Sequence, residues 1–173
     1  MMFEEQIFDW TDKYTESLSS NVSESDAARD ADSIISLWIE YAAFEQRLRQ
    51  WKKVVQVYEN ALNDELTSKS PRVFIAYANF CKSRGKIANA QKVYLRALCL
   101  SLPAKDLDTL WVEFLTTMRE NGSPDITFDL LYTAISSQAG YESLNKPSVA
   151  LLNQSVLHPP LPLPQLLVSM QDP

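Results

Sequence analysis

The sequence predicts an all-α protein in which short helical hairpins stack along the chain as an α-solenoid. The 173 residues include only three glycines and no alternating apolar runs, so signals for β-turns and strands are few. In addition, "LWIEYAAFEQRLRQWKKVVQVYENAL" and "VFIAYANFCKSRGKIANAQKVYLRAL" carry aromatic residues and an Ala-Leu pair at the same offsets. Because one short hairpin cannot bury its apolar stripe alone, repeated hairpins are expected to pack on one another.

Three copies of the repeat begin at Trp38, Phe74 and Trp111, which are 36 and 37 residues apart. Each copy has a ring three positions after its start and an alanine twenty-three positions after it. The alanine on one helix is predicted to leave space that the rings of another helix fill, since overpacking is costly. The predicted repeat core consists of Trp38, Tyr41, Phe44, Tyr58, Ala61, Phe74, Tyr77, Phe80, Tyr94, Ala97, Trp111, Phe114, Leu131 and Ala134.

Each copy is predicted to contain two helices, because its apolar residues follow a three-and-four spacing on both sides of a break. Ser70-Pro71 is expected to open the first helix of copy two, and Ser123-Pro124 the second helix of copy three, with serine as the cap. The predicted helices cover 26–48, 50–64, 71–84, 87–101, 105–121 and 124–138.

The turn within each copy falls eleven positions after its start. Gly85 and Gly122 stand there in copies two and three, where they predict a left-handed helix end. Arg49 stands there in copy one, where the turn is therefore expected to be irregular.

The two ends of the chain are predicted to differ from the array at 33–138, whose copies span 33–64, 71–101 and 105–138. Residues 1–32 are expected to form a capping helix and an acidic, Ser-rich linker, with a dimer-forming or groove-binding helix as the alternative. Residues 139–173 are expected to form a short helix and an extended Pro/Leu-rich tail that docks in a groove of the array or of a partner. The apolar stripe of the first helix comprises Phe3, Ile7, Trp10, Tyr14 and Leu18.

Copy one, with Trp38-x-x-Tyr41-x-x-Phe44-Glu45 followed by Val57-Tyr58-x-x-Ala61-Leu62, resembles the HAT (half-a-TPR) repeat. Copy two keeps Val93-Tyr94 and Ala97-Leu98, and copy three departs furthest. The resemblance covers about 33–138 and implies a nuclear scaffold, often dimeric, in an RNA-processing assembly. A plain TPR array is the alternative, although its Gly-Tyr signature is missing from the first helices.

The sequence offers no catalytic centre, metal site or cofactor site. Its single histidine, His158, lies in the Pro-rich tail, and no carboxylate pair, nucleophile elbow or phosphate-binding glycine loop is present. Cys81 and Cys99 are expected to be small buried thiols, which suits a reducing compartment. We therefore expect a protein that is not an enzyme and needs neither metal nor cofactor.

Charge is distributed unevenly along the chain. Residues 47–105 carry 12 basic and 3 acidic side chains, whereas 1–46 and 106–173 are both acidic. The predicted basic edge, which also includes Trp51, comprises Arg47, Arg49, Lys52, Lys53, Lys82, Arg84 and Lys86. An acidic peptide is the first expected ligand of this edge, and an RNA backbone is the second. As alternatives, the edge binds nothing and is simply solvated, or it is shielded by the acidic side chains Glu24, Asp26, Asp30 and Asp32.

The function that these features predict is a non-catalytic scaffold in pre-mRNA splicing or 3′-end processing. Its partners would be other protein subunits of that complex, with homodimerisation as a further expectation from the apolar ends. Direct RNA binding and a TPR-like peptide adaptor outside RNA processing are the alternatives. No apolar run approaches roughly 18 residues and the N-terminus is acidic, so we expect an intracellular protein without a membrane span.

Overall fold

A computed structural model describes residues 2–19 and 23–157, and within these ranges it contains eight helices and no strand. The all-α fold class is therefore confirmed for this part of the chain. The expected Pro-rich tail and His158 lie outside the described residues. Two compact units divide the chain between Val93 and Tyr94. The helices are α1 Met2–Ser19, α2 Glu24–Arg47, α3 Trp51–Asn63, α4 Pro71–Ser83, α5 Ile87–Leu98, α6 Ala104–Glu120, α7 Phe128–Ser136 and α8 Val149–Leu157.

The starts of α4 and α7 test the two predicted caps. At α4 the prediction is confirmed, since the Ser70 hydroxyl accepts a hydrogen bond from the Val73 N–H at 3.4 Å and Pro71 is the first helical residue. At α7 it is wrong: Thr127 is the cap, and its hydroxyl accepts from Leu130 N–H at 3.3 Å. Ser123 is not free to cap α7, because its N–H still closes the end of α6.

All three copies end their first helix in the same way. A residue with positive φ follows the helix, namely Arg49 (57°), Gly85 (68°) or Gly122 (114°). The next N–H then bonds back to a carbonyl five residues earlier, as from Lys86 to Cys81 at 2.9 Å, with Gln50 and Ser123 making the equivalent bonds at 3.0 Å. The expectation of an irregular turn in copy one is therefore wrong. Arg49 adopts the left-handed conformation despite a steric cost of about 1–2 kcal/mol.

In the first unit, rings join consecutive helices through one recurring contact. Tyr58 of α3 stacks on Tyr77 of α4, with 5.0 Å between ring centroids. Phe3 of α1 stacks on Tyr41 of α2 in the same way, at 5.3 Å. The residue four positions after the first ring of each pair, Leu62 or Ile7, is also buried. The ring contact between α3 and α4 is thus repeated between α1 and α2, where the two helices pack against each other more extensively.

Phe44 departs from its predicted burial. Although it was expected in the repeat core, its side chain is 37% exposed, whereas Trp38 and Tyr41 on the same helix are buried. Phe44 lies near the C-terminal end of α2, where Phe3 covers it with a tilted ring contact of 5.5 Å near the start of α1. Cover from a helix end leaves one side of the ring in solvent.

The second unit repeats the ring contact around Trp111. Tyr94 of α5 stacks on Phe114 of α6 at 5.5 Å, and Phe114 also stacks on Trp111, whose side chain is fully buried. The Trp111 indole N–H donates to the Asn145 carbonyl at 3.1 Å. Trp111 is thus fixed both by ring packing and by a hydrogen bond.

Helix α7 does not bury its alanine. Ala134 is exposed, although its equivalents Ala61 and Ala97 are fully buried, so its assignment to the repeat core is wrong. The buried residues of α7 are Phe128, Leu131 and Ile135. This face is rotated relative to that of α3, and the rotation turns Ala134 towards solvent.

Asn145 satisfies the carbonyls at the C-terminal end of α5. Its side-chain amide donates to the carbonyls of Leu98 and Leu100, both at 2.7 Å, and its backbone N–H donates to Leu98 at 3.0 Å. Carbonyls at a helix end have no partner within the helix, so this residue replaces a local cap.

Replacing Asn145 by alanine is expected to lower the free energy of unfolding by about 2 kcal/mol, because two hydrogen bonds to half-buried carbonyls are lost. Urea denaturation followed by circular dichroism measures the change. Ser143→Ala, at an exposed position two residues away, provides the control. Equal effects of the two substitutions would contradict the capping role.

Burial raises the pKa of Tyr58 to about 12, which gives stability a pH dependence. The folded state holds the phenolic proton more tightly than the unfolded state, whose pKa is about 10. The stabilisation from this tyrosine is therefore complete below about pH 10 and is lost as the pH rises through 12.

We expect Tyr58 to account for a fall of about 2–3 kcal/mol in the free energy of unfolding over that pH range. Urea titrations of the wild type and of Tyr58→Phe at a series of pH values measure it. The variant should show a shallower alkaline decline, since the other titrating groups are unchanged. Identical slopes would show that Tyr58 titrates normally.

Candidate functional site: a basic groove in the first unit

An open groove of about 420 Å³ lies where α3 begins and α4 ends. Its floor is apolar and consists of Val55 on α3 with Tyr77, Phe80 and Cys81 on α4. Burial raises the pKa of the Cys81 thiol, so this side chain stays neutral at physiological pH and belongs to the apolar lining.

Three cations stand around this floor. Lys52 belongs to the first turn of α3, whereas Arg84 and Lys86 flank the glycine of the turn after α4. Among the described residues that line the groove, none is acidic. The groove therefore combines an apolar surface with a positive rim.

Trp51 and Arg84 form the best-defined contact of the rim. The guanidinium carbon of Arg84 lies 3.9 Å from the centroid of the Trp51 ring. Attraction between a cation and an aromatic face at this distance contributes about 0.5–1 kcal/mol at an exposed site. The contact positions Arg84 and covers one face of the indole.

Lys53 does not line the groove, so its assignment to the basic edge stays a prediction. Its Nζ atom lies 3.6 Å from a carboxylate oxygen of Glu4 and 5.9 Å from the centroid of the Tyr41 ring. The Tyr41 hydroxyl donates to the same carboxylate at 2.8 Å and thereby lowers the pKa of Glu4. Successive residues of a helix point about 100° apart, so Lys52 faces the groove while Lys53 faces α1.

The remaining predicted cations are not groove residues. Arg47 and Arg49 are exposed at the end of α2, and Lys82 is half-buried, but none of the three is among the lining side chains. The structure thus brings Lys52, Arg84 and Lys86 together around Trp51. The continuous edge predicted from the sequence stays a prediction for the other three.

The acidic segment does not shield the groove cations Lys52, Arg84 and Lys86. It forms the beginning of α2, where Asp32 pairs with Arg72 and Asp26 lies 3.5 Å from Arg29. Asp32 precedes Arg47 on the same continuous helix, which separates them by about 22 Å. The groove is therefore open to an external ligand.

Two groove residues were not predicted from the sequence, namely Val55 and Asn89. Val55 lies outside the buried stripe of α3, and its 39% exposure is a signal that only the folded structure provides. Asn89 is neither charged nor apolar, so neither charge counting nor apolar periodicity along the sequence selects it.

No group of three or more His, Cys, Asp or Glu side chains is placed to hold a metal ion in the described part of the chain. Within the same residues, no helix has the length and apolar character needed to cross a bilayer. The side chains that line the groove are cations, an amide and apolar groups.

Comparisons of this chain with protein-family models, with curated proteins and with solved structures give no match.

Proposed function

We propose that this chain is a non-catalytic scaffold built as an α-solenoid of three HAT-type hairpins, and that it works in a nuclear RNA-processing complex. The observation that supports the proposal is that the same helix end and the same ring contact recur along the chain. Every copy ends its first helix with the same left-handed cap, and Tyr58 and Tyr94 stack on equivalent rings of the following helix. Such repetition is typical of arrays that present binding surfaces.

Protein contacts are favoured over direct RNA binding by the composition of the groove. RNA-binding surfaces offer free aromatic faces on which bases stack. Here one face of the Trp51 ring is already covered by Arg84, and the floor is lined by aliphatic, aromatic and thiol groups. A peptide side chain fits an apolar floor better than a phosphate backbone does.

Affinity purification from nuclear extract, followed by mass spectrometry, tests the proposed function. The tagged chain is expected to recover subunits of a pre-mRNA splicing or 3′-end processing complex, and recovery is expected to persist after RNase treatment. An unrelated tagged helical protein is the control. Enrichment of chaperone or kinetochore proteins instead would favour the TPR-like adaptor, and loss of all partners after RNase would favour direct RNA binding.

A further inference from the structure

We propose that the groove around Trp51 is a docking site for an acidic peptide segment that carries one bulky apolar side chain among carboxylates. The apolar side chain lies on the floor of the groove, and the flanking carboxylates meet Lys52, Arg84 and Lys86. This inference depends on the proposed scaffold function in one respect, namely that the ligand is a segment of a protein.

The apolar part of the ligand follows from the floor. Val55, Tyr77, Phe80 and Cys81 line the groove with uncharged side chains, and its volume is within the range of about 300–1,000 Å³ typical of ligand pockets. Val55 is 39% exposed, although it is a large aliphatic side chain. A bulky side chain placed there is removed from water on several sides, which favours binding.

The acidic part of the ligand follows from charge complementarity. The three cations come from the start of α3 and the turn beyond α4, and no acidic side chain among the described lining residues neutralises them. Asp32 and Glu4, two acids of this unit, are engaged with Arg72 and Lys53. Glu59 does not line the groove, but its charge acts on the Cys81 thiol of the floor. A ligand with carboxylates thus meets three cations on the rim and one acidic side chain nearby.

The apolar floor, rather than the Arg84 guanidinium, favours a peptide over a single-stranded RNA. A guanidinium binds a phosphate as readily as a carboxylate, but a phosphate backbone has no apolar side chain to place against Val55 and Phe80. Arg84 also covers one of the two faces of Trp51 on which a base could stack. The site is therefore assigned to a peptide.

Fluorescence anisotropy of the full chain with synthetic peptides tests the assignment. The probe is a short peptide of aspartate and glutamate with one central phenylalanine. Its affinity is compared with that of the same peptide carrying serine in place of phenylalanine, and with that of a labelled oligouridine RNA. We expect the serine peptide to bind about tenfold more weakly, because the apolar contact with the floor is lost.

Lys52→Glu combined with Lys86→Glu is expected to weaken binding of the phenylalanine peptide by about tenfold or more, since two attractions become repulsions. Lys69→Glu combined with Lys92→Glu is the control of equal charge change: it reverses two exposed cations of the first unit that do not line the groove, and Lys69→Glu alone serves as a single reversal. Arg47→Glu changes a basic-edge cation that does not line the groove. Its effect on affinity shows whether the peptide binds the groove alone or the wider basic edge. Circular dichroism checks that all variants keep the fold.

Chemical shift changes in a ¹H–¹⁵N spectrum locate the peptide. The Trp51 indole N–H and the backbone of Val55 and Asn89 are expected to shift. Failure of the wild type to bind, equal binding of the two peptides, equal loss in Lys69→Glu combined with Lys92→Glu, or tighter binding of the oligouridine in the groove would each overturn the proposal. These outcomes are independent of which subunits the purification recovers, so the groove and the RNA-processing role can fail separately.

Discussion

Replacing Trp111 by alanine is expected to lower the free energy of unfolding by about 3–5 kcal/mol, because a large buried ring is lost from a packed interior. The indole is fully buried, stacks on Phe114 and has an edge contact with Tyr132. Its removal leaves a cavity and also leaves the Asn145 carbonyl without its donor. Chemical denaturation followed by circular dichroism measures the loss.

Val112→Ala is the control for Trp111, because Val112 is the next residue of α6 and is 42% exposed. It should cost no more than about 0.5 kcal/mol. Trp111→Phe keeps a ring but removes the donor and part of the volume, so it is expected to fall between the two and stays measurable even if Trp111→Ala does not fold. Similar values for Trp111→Ala and Val112→Ala would show that the second unit does not depend on this ring.

Replacing Ala97 by leucine is expected to lower the free energy of unfolding by about 1–3 kcal/mol, because the added atoms have no space in a packed interior. Ala97 is fully buried on α5, as Ala61 is on α3. Ala134→Leu is an unusually close control, since Ala134 occupies the same repeat position in the same compact unit but is exposed. It should change stability by about 0.5 kcal/mol or less.

Thermal or urea unfolding of Ala97→Leu and Ala134→Leu under identical conditions compares the two positions. If both substitutions destabilise equally, the third copy packs like the second in solution. If neither does, the buried alanines do not control how closely the helices approach, and the argument for complementary rings and alanines fails.

The helices and their turns were largely predictable, because local chemistry specifies them. Ser70-Pro71 begins α4 through a bond to Val73, three residues away, and Gly85 provides the positive φ that ends the same helix. Arg49 shows the limit of that reasoning. Its residue type disfavours the left-handed conformation, yet the residue adopts it, and the N–H of Gln50 then bonds back to the Glu45 carbonyl.

The candidate site was predictable only in part. Charge counting along the chain found Lys52, Arg84 and Lys86, which line the groove, but it also selected Lys53, which pairs with Glu4 on α1. The two lysines at 52 and 53 are adjacent in sequence and equally basic. Only the position of α1 separates them, and no local pattern reports where a helix so much earlier in the chain will pack.

Local sequence is thus sufficient to specify that the described part of this chain is helical, that its helices recur with a period of 36 or 37 residues, and that the predicted core rings of the first two copies, except Phe44, are buried. Long-range packing was needed to place Lys53 against α1, to turn Ala134 towards solvent and to bring Asn145 to the end of α5. The physical reason is range. Apolar periodicity and capping act over a few residues, whereas these contacts join residues about 45 positions apart or depend on how a whole helix rotates against its neighbours.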